Sequence, residues 1–220
     1  MKSILLRYFI AILIISFTIS CSNKDETFES AKASSLEKSK STQNQIPKTW
    51  EKIFFREITE RINGSEIKNL RDIEISPNSI EVRIWVGFDL SPLRGLILRQ
   101  NNGEWTALYV PPIDSSDLPR LRPYLLQPPK SGWESLWERL KSLEILTLPD
   151  ATEIGLDDKS TFDSRGVVIE IKTKDSYRTY LYFGLNWEKR TEEQRKVFEI
   201  CNTLSEEFGL HLYYYFGKNG

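Results

Sequence analysis

The chain has 220 residues, 30 lysines and arginines against 31 aspartates and glutamates, and a formal net charge of −1. So even a balance excludes the concentrated basic face that a duplex binder or a polybasic membrane patch requires. One histidine and two cysteines exclude a disulfide framework and a zinc site built on several cysteines, and argue against most zinc and iron centres.

The chain opens with Lys2 and Arg7, and Tyr8 to Ile15 is an unbroken apolar run, extended to Ile19 with only Ser16 and Thr18 intervening. A positive start, a short apolar middle and a small-residue end describe a secretory signal peptide over residues 1–20. A membrane-spanning helix needs about 20 consecutive apolar residues, and this run is shorter. The segment Thr18-Ile19-Ser20-Cys21 resembles the lipobox of bacterial lipoproteins, with Thr18 where that family usually has leucine or another aliphatic residue. The resemblance covers this segment alone. It implies cleavage before Cys21, diacylation of its sulfur with palmitate-type chains, and residence in the bacterial cell envelope at the periplasmic face or the cell surface. Two or three acyl chains anchor stably, because each buried methylene contributes about 0.8 kcal/mol.

Loss of residues 1–20 removes two cations and no acids, leaving 28 against 31 and a net charge of −3. No nucleic-acid partner follows from that balance. With Cys21 consumed by lipid, Cys201 has no cysteine left to pair with inside the chain. Residues 21–46 then form the lipidated terminus and a polar tether, with Phe28, Leu36 and Ile46 as its large apolar residues. Such a composition cannot offset its ordering entropy by burial. As a coil it spans on the order of 28 Å.

A globular domain occupies residues 47–220. Trp50, Ile53, Phe54, Ile58 and Ile62 recur at helical spacing, and Asn63-Gly64 supplies a stop. Ile80 to Val86 alternates as a strand, while Leu93 to Gln100 and Glu104 to Val110 read as two more. Asn101-Asn102-Gly103 joins that pair as a hairpin, since Asn and Gly accept positive φ. Pro111 to Pro129 holds six of the ten prolines, which keeps helices and central strands out of it. Connections of that length are often functional.

Ser131-Gly132-Trp133-Glu134 has the pattern of a capping box, and Trp133, Leu136, Trp137, Leu140 and Leu143 continue it as a helical stripe. Val167, Ile169 and Ile171 alternate, Tyr177 to Phe183 is rich in strand formers, and Thr173 to Ser176 joins them as a second hairpin. Thr191 to Gln194 is another capping box, opening a helix with Val197, Cys201, Leu204 and Phe208 on its stripe and Gly209 as its stop. Leu210 to Phe216 reads as a final strand. The pattern predicts a single α+β domain, a mainly antiparallel sheet of 5–6 strands with about three helices. The grouping of the helices favours a sheet covered on one side. This body is similar only to uncharacterised bacterial lipoprotein domains, a resemblance that implies no activity.

Chemistry is sparse. Cys201 falls on an apolar helix stripe, where burial raises a thiol pKa rather than activating it, so it reads as core. His211 has no GxSxG-type nucleophile signature to serve and reads as structural. Asp157, Asp158 and Asp163 depart from the spacing of a calcium loop. No cofactor or metal is implied. Glu81, Arg83 and Trp85 share the strand face opposite its aliphatic row, with Arg94 and Arg99 following. That face reads either as cross-strand charge pairs on a wet sheet surface or as a ligand site. In the second reading Arg83, Trp85, Arg94, Arg99, Arg120, Arg122 and Tyr124 form a groove for a small anionic or carbohydrate ligand.

Three functions fit: a non-catalytic, lipid-anchored module binding an envelope protein or small ligand; a structural component of an envelope assembly; and a hydrolase using carboxylates alone, with Asp114 and Asp117 as its acids. The first is favoured, because no recognisable catalytic set is present in the sequence.

Overall fold

The computed structural model describes residue 46 and residues 51–63, 65–88, 92–112, 122–156, 166–185 and 190–212, all within a unit running from Gln43 to Gly220. The leader, Cys21, the tether to residue 45, Asp114, Asp117, Arg120, the acidic loop at 157–163 and the aromatic run at 213–216 lie outside the described residues. Among the described residues no helix is long and apolar enough to cross a membrane.

A first helix, α1, spans Glu51–Ile62, and a 3-10 turn follows at Leu70–Asp72. Strands β1 (Ile80–Val86), β2 (Arg94–Asn101), β3 (Glu104–Val110) and a two-residue β4 (Tyr124–Leu125) come next. Then come α2 (Trp133–Ser142), a second 3-10 turn (Ala151–Ile154), β5 (Val167–Thr173), β6 (Tyr177–Tyr182) and α3 (Glu192–Phe208). All strand pairs are antiparallel, in one six-stranded sheet ordered β4-β3-β2-β1-β5-β6. With three α-helices among the described residues, this is the single α+β domain that the residue pattern predicts.

The turn chemistry explains the meander. Asn102 and Gly103 have φ of 51° and 89°, the pair of positive values that a two-residue hairpin turn needs to match strand twist. β4 fits inside the proline-rich stretch because it is short and lies at the sheet edge, where a missing N–H costs nothing. At the other edge the Asp150 carboxylate accepts the Leu181 N–H of β6 at 2.9 Å. The same carboxylate caps the second 3-10 turn through Thr152, and Glu153 completes a capping box there.

Helices cover both faces of the sheet, which corrects the expected one-sided layer. On one face Val82, Ile84, Leu96, Leu98, Ile169 and Tyr180 pack with Leu136 and Leu140 of α2 and with Val197, Ile200, Cys201 and Leu204 of α3. On the other, Ile97, Trp85, Val168 and Leu181 pack with Phe55, Ile58 and Ile62 of α1 and with Leu70 of the first 3-10 turn. Ile46 packs against this second core. The pattern misled because α1 precedes every strand, so nothing in its spacing says which face it covers.

Two terminal details also differ. Ser131 does not cap α2: the N-cap is Gly132, at φ 84° and without a side-chain bond, and the Ser131 N–H donates instead to Glu207 Oε2 of α3 at 2.8 Å. That shift places Ser131 one residue too early to reach the free amides. Residues 210–212 form no strand. The capping box at Thr191 and Gln194 forms as predicted, and Gly209 closes α3 in the left-handed conformation.

Candidate functional site

The face beneath α1 carries a polar network inside an otherwise apolar layer. Strand alternation puts Glu81, Arg83 and Trp85 on one side of β1, and all three are at most 2 % exposed. This corrects the expectation of a wet sheet face. Arg83 Nε and Nη2 meet Glu81 Oε1 at 2.8 and 2.7 Å, and Arg83 Nη1 donates to the Lys68 carbonyl at 2.7 Å. Arg99 of β2 donates its Nε to the other Glu81 oxygen at 2.6 Å. On β5, opposite Arg83 in register, Glu170 accepts from Trp85 Nε1 at 2.6 Å and from the Tyr177 hydroxyl at 2.8 Å.

Complete burial pushes the Glu170 carboxyl above its ordinary range, while the Arg83 charge and its two hydrogen bonds pull the other way. The Tyr177 phenol is raised as well, first by burial and then by the adjacent Glu170 carboxylate. Trp85 lies directly over Gly95, where an added Cβ would come within 2.6 Å of the indole ring. Each group is held by others of the same layer, and through the Lys68 carbonyl the network ties the segment after α1 to the sheet.

The expected groove is not assembled from these residues. Arg83, Trp85 and Arg99 share the α1 face, but Arg83 and Trp85 are engaged internally. Arg94 lies on the opposite face by parity and donates Nη1 to the His211 carbonyl at 3.1 Å. Tyr124 sits on β4, three strands from β1 and on the order of 14 Å away. It meets Tyr109 edge-on at 5.5 Å on the α2/α3 side. Arg122 is exposed beside it, and Arg120 lies outside the described residues.

A cleft of about 240 Å³ opens to solvent between residues 73–76 and the strand ends at Ile80, Glu81, Arg99 and Asn101. Arg99 is the expected site residue that lines it. Its side chain is 37 % exposed, and its guanidinium is held by the buried Glu81 carboxylate. Elsewhere, Cys201 is buried in α3, and that burial pushes its thiol up to about 12, as its position on the stripe implies. His211 is exposed. Among the described residues no three His, Cys, Asp or Glu side chains are grouped to hold a metal ion.

Sequence reasoning missed Glu170, Tyr177 and the cleft-lining Glu74, Ser76 and Asn101. Glu170 left a signal, as the one acid in an apolar strand whose neighbour in the sheet carries Arg83. The cleft left none, because its outer wall is an irregular segment.

No protein-family profile, no curated protein and no solved structure matches this chain.

Proposed function

We propose that the chain is a lipid-anchored bacterial envelope lipoprotein whose folded body is a non-catalytic binding module. The observation that carries this reading is the apolar run ending in Thr18-Ile19-Ser20-Cys21 and followed at once by a polar segment. A leader of that form directs acylation of Cys21, and the body then needs no apolar face of its own to stay at a membrane. The body's chemistry supports a binding role. Its buried carboxylates among the described residues, Glu81, Glu170 and Asp150, are committed to arginine, indole, phenol, threonine and backbone-amide partners. Its thiol at Cys201 is held protonated by burial. Arg99, by contrast, faces an open cleft.

The test is metabolic labelling of the full chain with an alkyne fatty acid in a bacterial host. Wild type is expected to carry the label and to sediment with membranes, and Cys21→Ala is expected to lose both. An unlabelled wild-type protein in the soluble fraction overturns the reading.

A further inference from the structure

We infer that the cleft at Arg99 is a binding site for a small aliphatic carboxylate. This deepens the reading of the body as a binding module and is independent of the lipid anchor.

The site is built from the inside outward. Glu81 is 2 % exposed, and its two oxygens divide between Arg83 and Arg99. Arg83 is sealed in with Glu170 opposite it in register, so Arg99 is the member of this group that reaches solvent. The Glu81 bond takes the Arg99 Nε and fixes the plane of the fork. Among the described residues neither terminal nitrogen of Arg99 carries a hydrogen bond, so the outer edge of a pre-oriented guanidinium is free to pair with a carboxylate. Arginine suits this task because its rigid fork matches the two carboxylate oxygens and loses little freedom on binding.

The rest of the cleft sets the class of the acid. Ile73 and Ile75 supply an aliphatic wall, Ser76 and Asn101 add hydrogen-bonding groups, and Glu74 is exposed among them. At about 30 Å³ per water, 240 Å³ holds the equivalent of about eight waters. That is room for one short branched acid and not for an oligosaccharide. An acid of this kind has two sources, a simple carboxylic acid and an α-amino acid. Glu74 favours the second, because an ammonium group would find a carboxylate there.

The experiment titrates leucine and isocaproate, which share a carbon skeleton and differ in the amine, into the purified full chain by calorimetry. The probes are followed by proton NMR in the same samples. Both are expected to bind wild type saturably. Arg99→Gln is expected to weaken both about ten-fold or more, the loss expected for a charge-assisted pair. Glu74→Gln is expected to weaken leucine alone, by about two- to five-fold. Because Arg99→Gln also disturbs Glu81, Ser76→Trp is the second variant. It fills the cleft from an exposed position and should abolish both titrations while leaving thermal unfolding unchanged.

Equal affinities for the two probes, unaffected by Glu74→Gln, support the carboxylate site and assign it to a simple acid. No saturable binding of either probe to wild type, or binding unchanged in both Arg99→Gln and Ser76→Trp, overturns the inference and leaves the envelope reading standing. Consumption of a bound probe, seen by NMR, overturns the non-catalytic reading and leaves the site standing.

Discussion

Both faces of the sheet are buried, but by different chemistry. Beneath α2 and α3 the layer is mainly aliphatic and aromatic, with polar groups such as Arg94 and tyrosine hydroxyls donating to backbone carbonyls. Its stability largely follows the apolar area removed from water, about 25 cal/mol per Å². Beneath α1 the same kind of layer is interrupted by Glu81, Arg83 and Glu170, groups whose desolvation is costly and is offset by hydrogen bonds to specific partners. The aliphatic positions of the drier face tolerate well-fitting apolar replacements. The polar face tolerates no lone partner, so it fixes where the segment after α1 must sit.

The comparison breaks most visibly at Glu81. Glu81→Ala leaves Arg83 buried with a single carbonyl acceptor, and breaking such a pair costs about 3–5 kcal/mol. Leu140→Ala on the dry face removes a fully buried side chain and should cost about 2–5 kcal/mol, with the value set by how far the cavity collapses. The two faces separate under conservative exchange. Leu140→Met should cost less than about 1.5 kcal/mol, whereas Arg83→Lys should lose most of the network because one ammonium cannot span Glu81 and the Lys68 carbonyl. Urea unfolding of the four variants measures this, and equal losses for the two conservative exchanges would remove the distinction.

Gly95 sharpens it from the packing side. Its partner in register is Trp85, whose indole occupies the space a methyl would take. Gly95→Ala should therefore destabilise by about 1–3 kcal/mol through overpacking. Pairing it with Trp85→Leu should give less than the sum of the two single losses, because the smaller side chain makes room. Strict additivity in that double-mutant cycle would show that the ring is free to move.

A pH profile distinguishes the faces without altering their shape. The Glu170 carboxyl is raised in the folded protein, so the native state holds that proton more tightly than the unfolded chain, where a glutamate titrates near about 4.3. Its contribution is complete below that value and is lost as pH rises through the folded one, with a slope of at most about 1.4 kcal/mol per pH unit. The difference in unfolding free energy between wild type and Glu170→Gln should therefore fall with rising pH above about 4.3. The corresponding difference for Leu140→Ala should stay flat. A flat Glu170 difference would mean that Arg83, Trp85 and Tyr177 together cancel the effect of burial, and a rising one that they outweigh it.

How much of this was legible in the residues depends on range. β1, β2, β3, β5 and β6 and both hairpins follow from alternation and turn residues such as Asn102-Gly103, which are local signals, whereas the two-residue β4 in the proline-rich stretch has no such signal. β3 begins and ends where the pattern places it. The second face was not legible, because covering it depends on where α1 lands after the whole sheet has formed. The candidate site was half legible. Strand parity alone places Arg83, Trp85 and Arg99 on one face and Arg94 on the other. No local pattern could show that Arg83 and Trp85 would be sealed in while Arg99 stayed open.

The smallest effects fall at the helix starts of the dry face, where local signals and tertiary contacts compete. Thr191 accepts the Gln194 N–H at 3.2 Å, and the Gln194 side chain returns a bond from the Thr191 N–H at 3.0 Å. Thr191→Ala removes half of that exchange and should cost about 1 kcal/mol. Ser131 has the same sequence signature but makes no cap. Its backbone amide is satisfied by Glu207, and its side chain is exposed. Ser131→Ala should thus stay within about 0.5 kcal/mol of wild type. Glu207→Ala should cost more than Ser131→Ala, since it frees the amide at 131 and loosens the start of α2 from the end of α3. Thermal unfolding of the three variants gives the order. A loss at Ser131 equal to that at Thr191 would mean that the local cap forms after all and the contact with α3 is secondary.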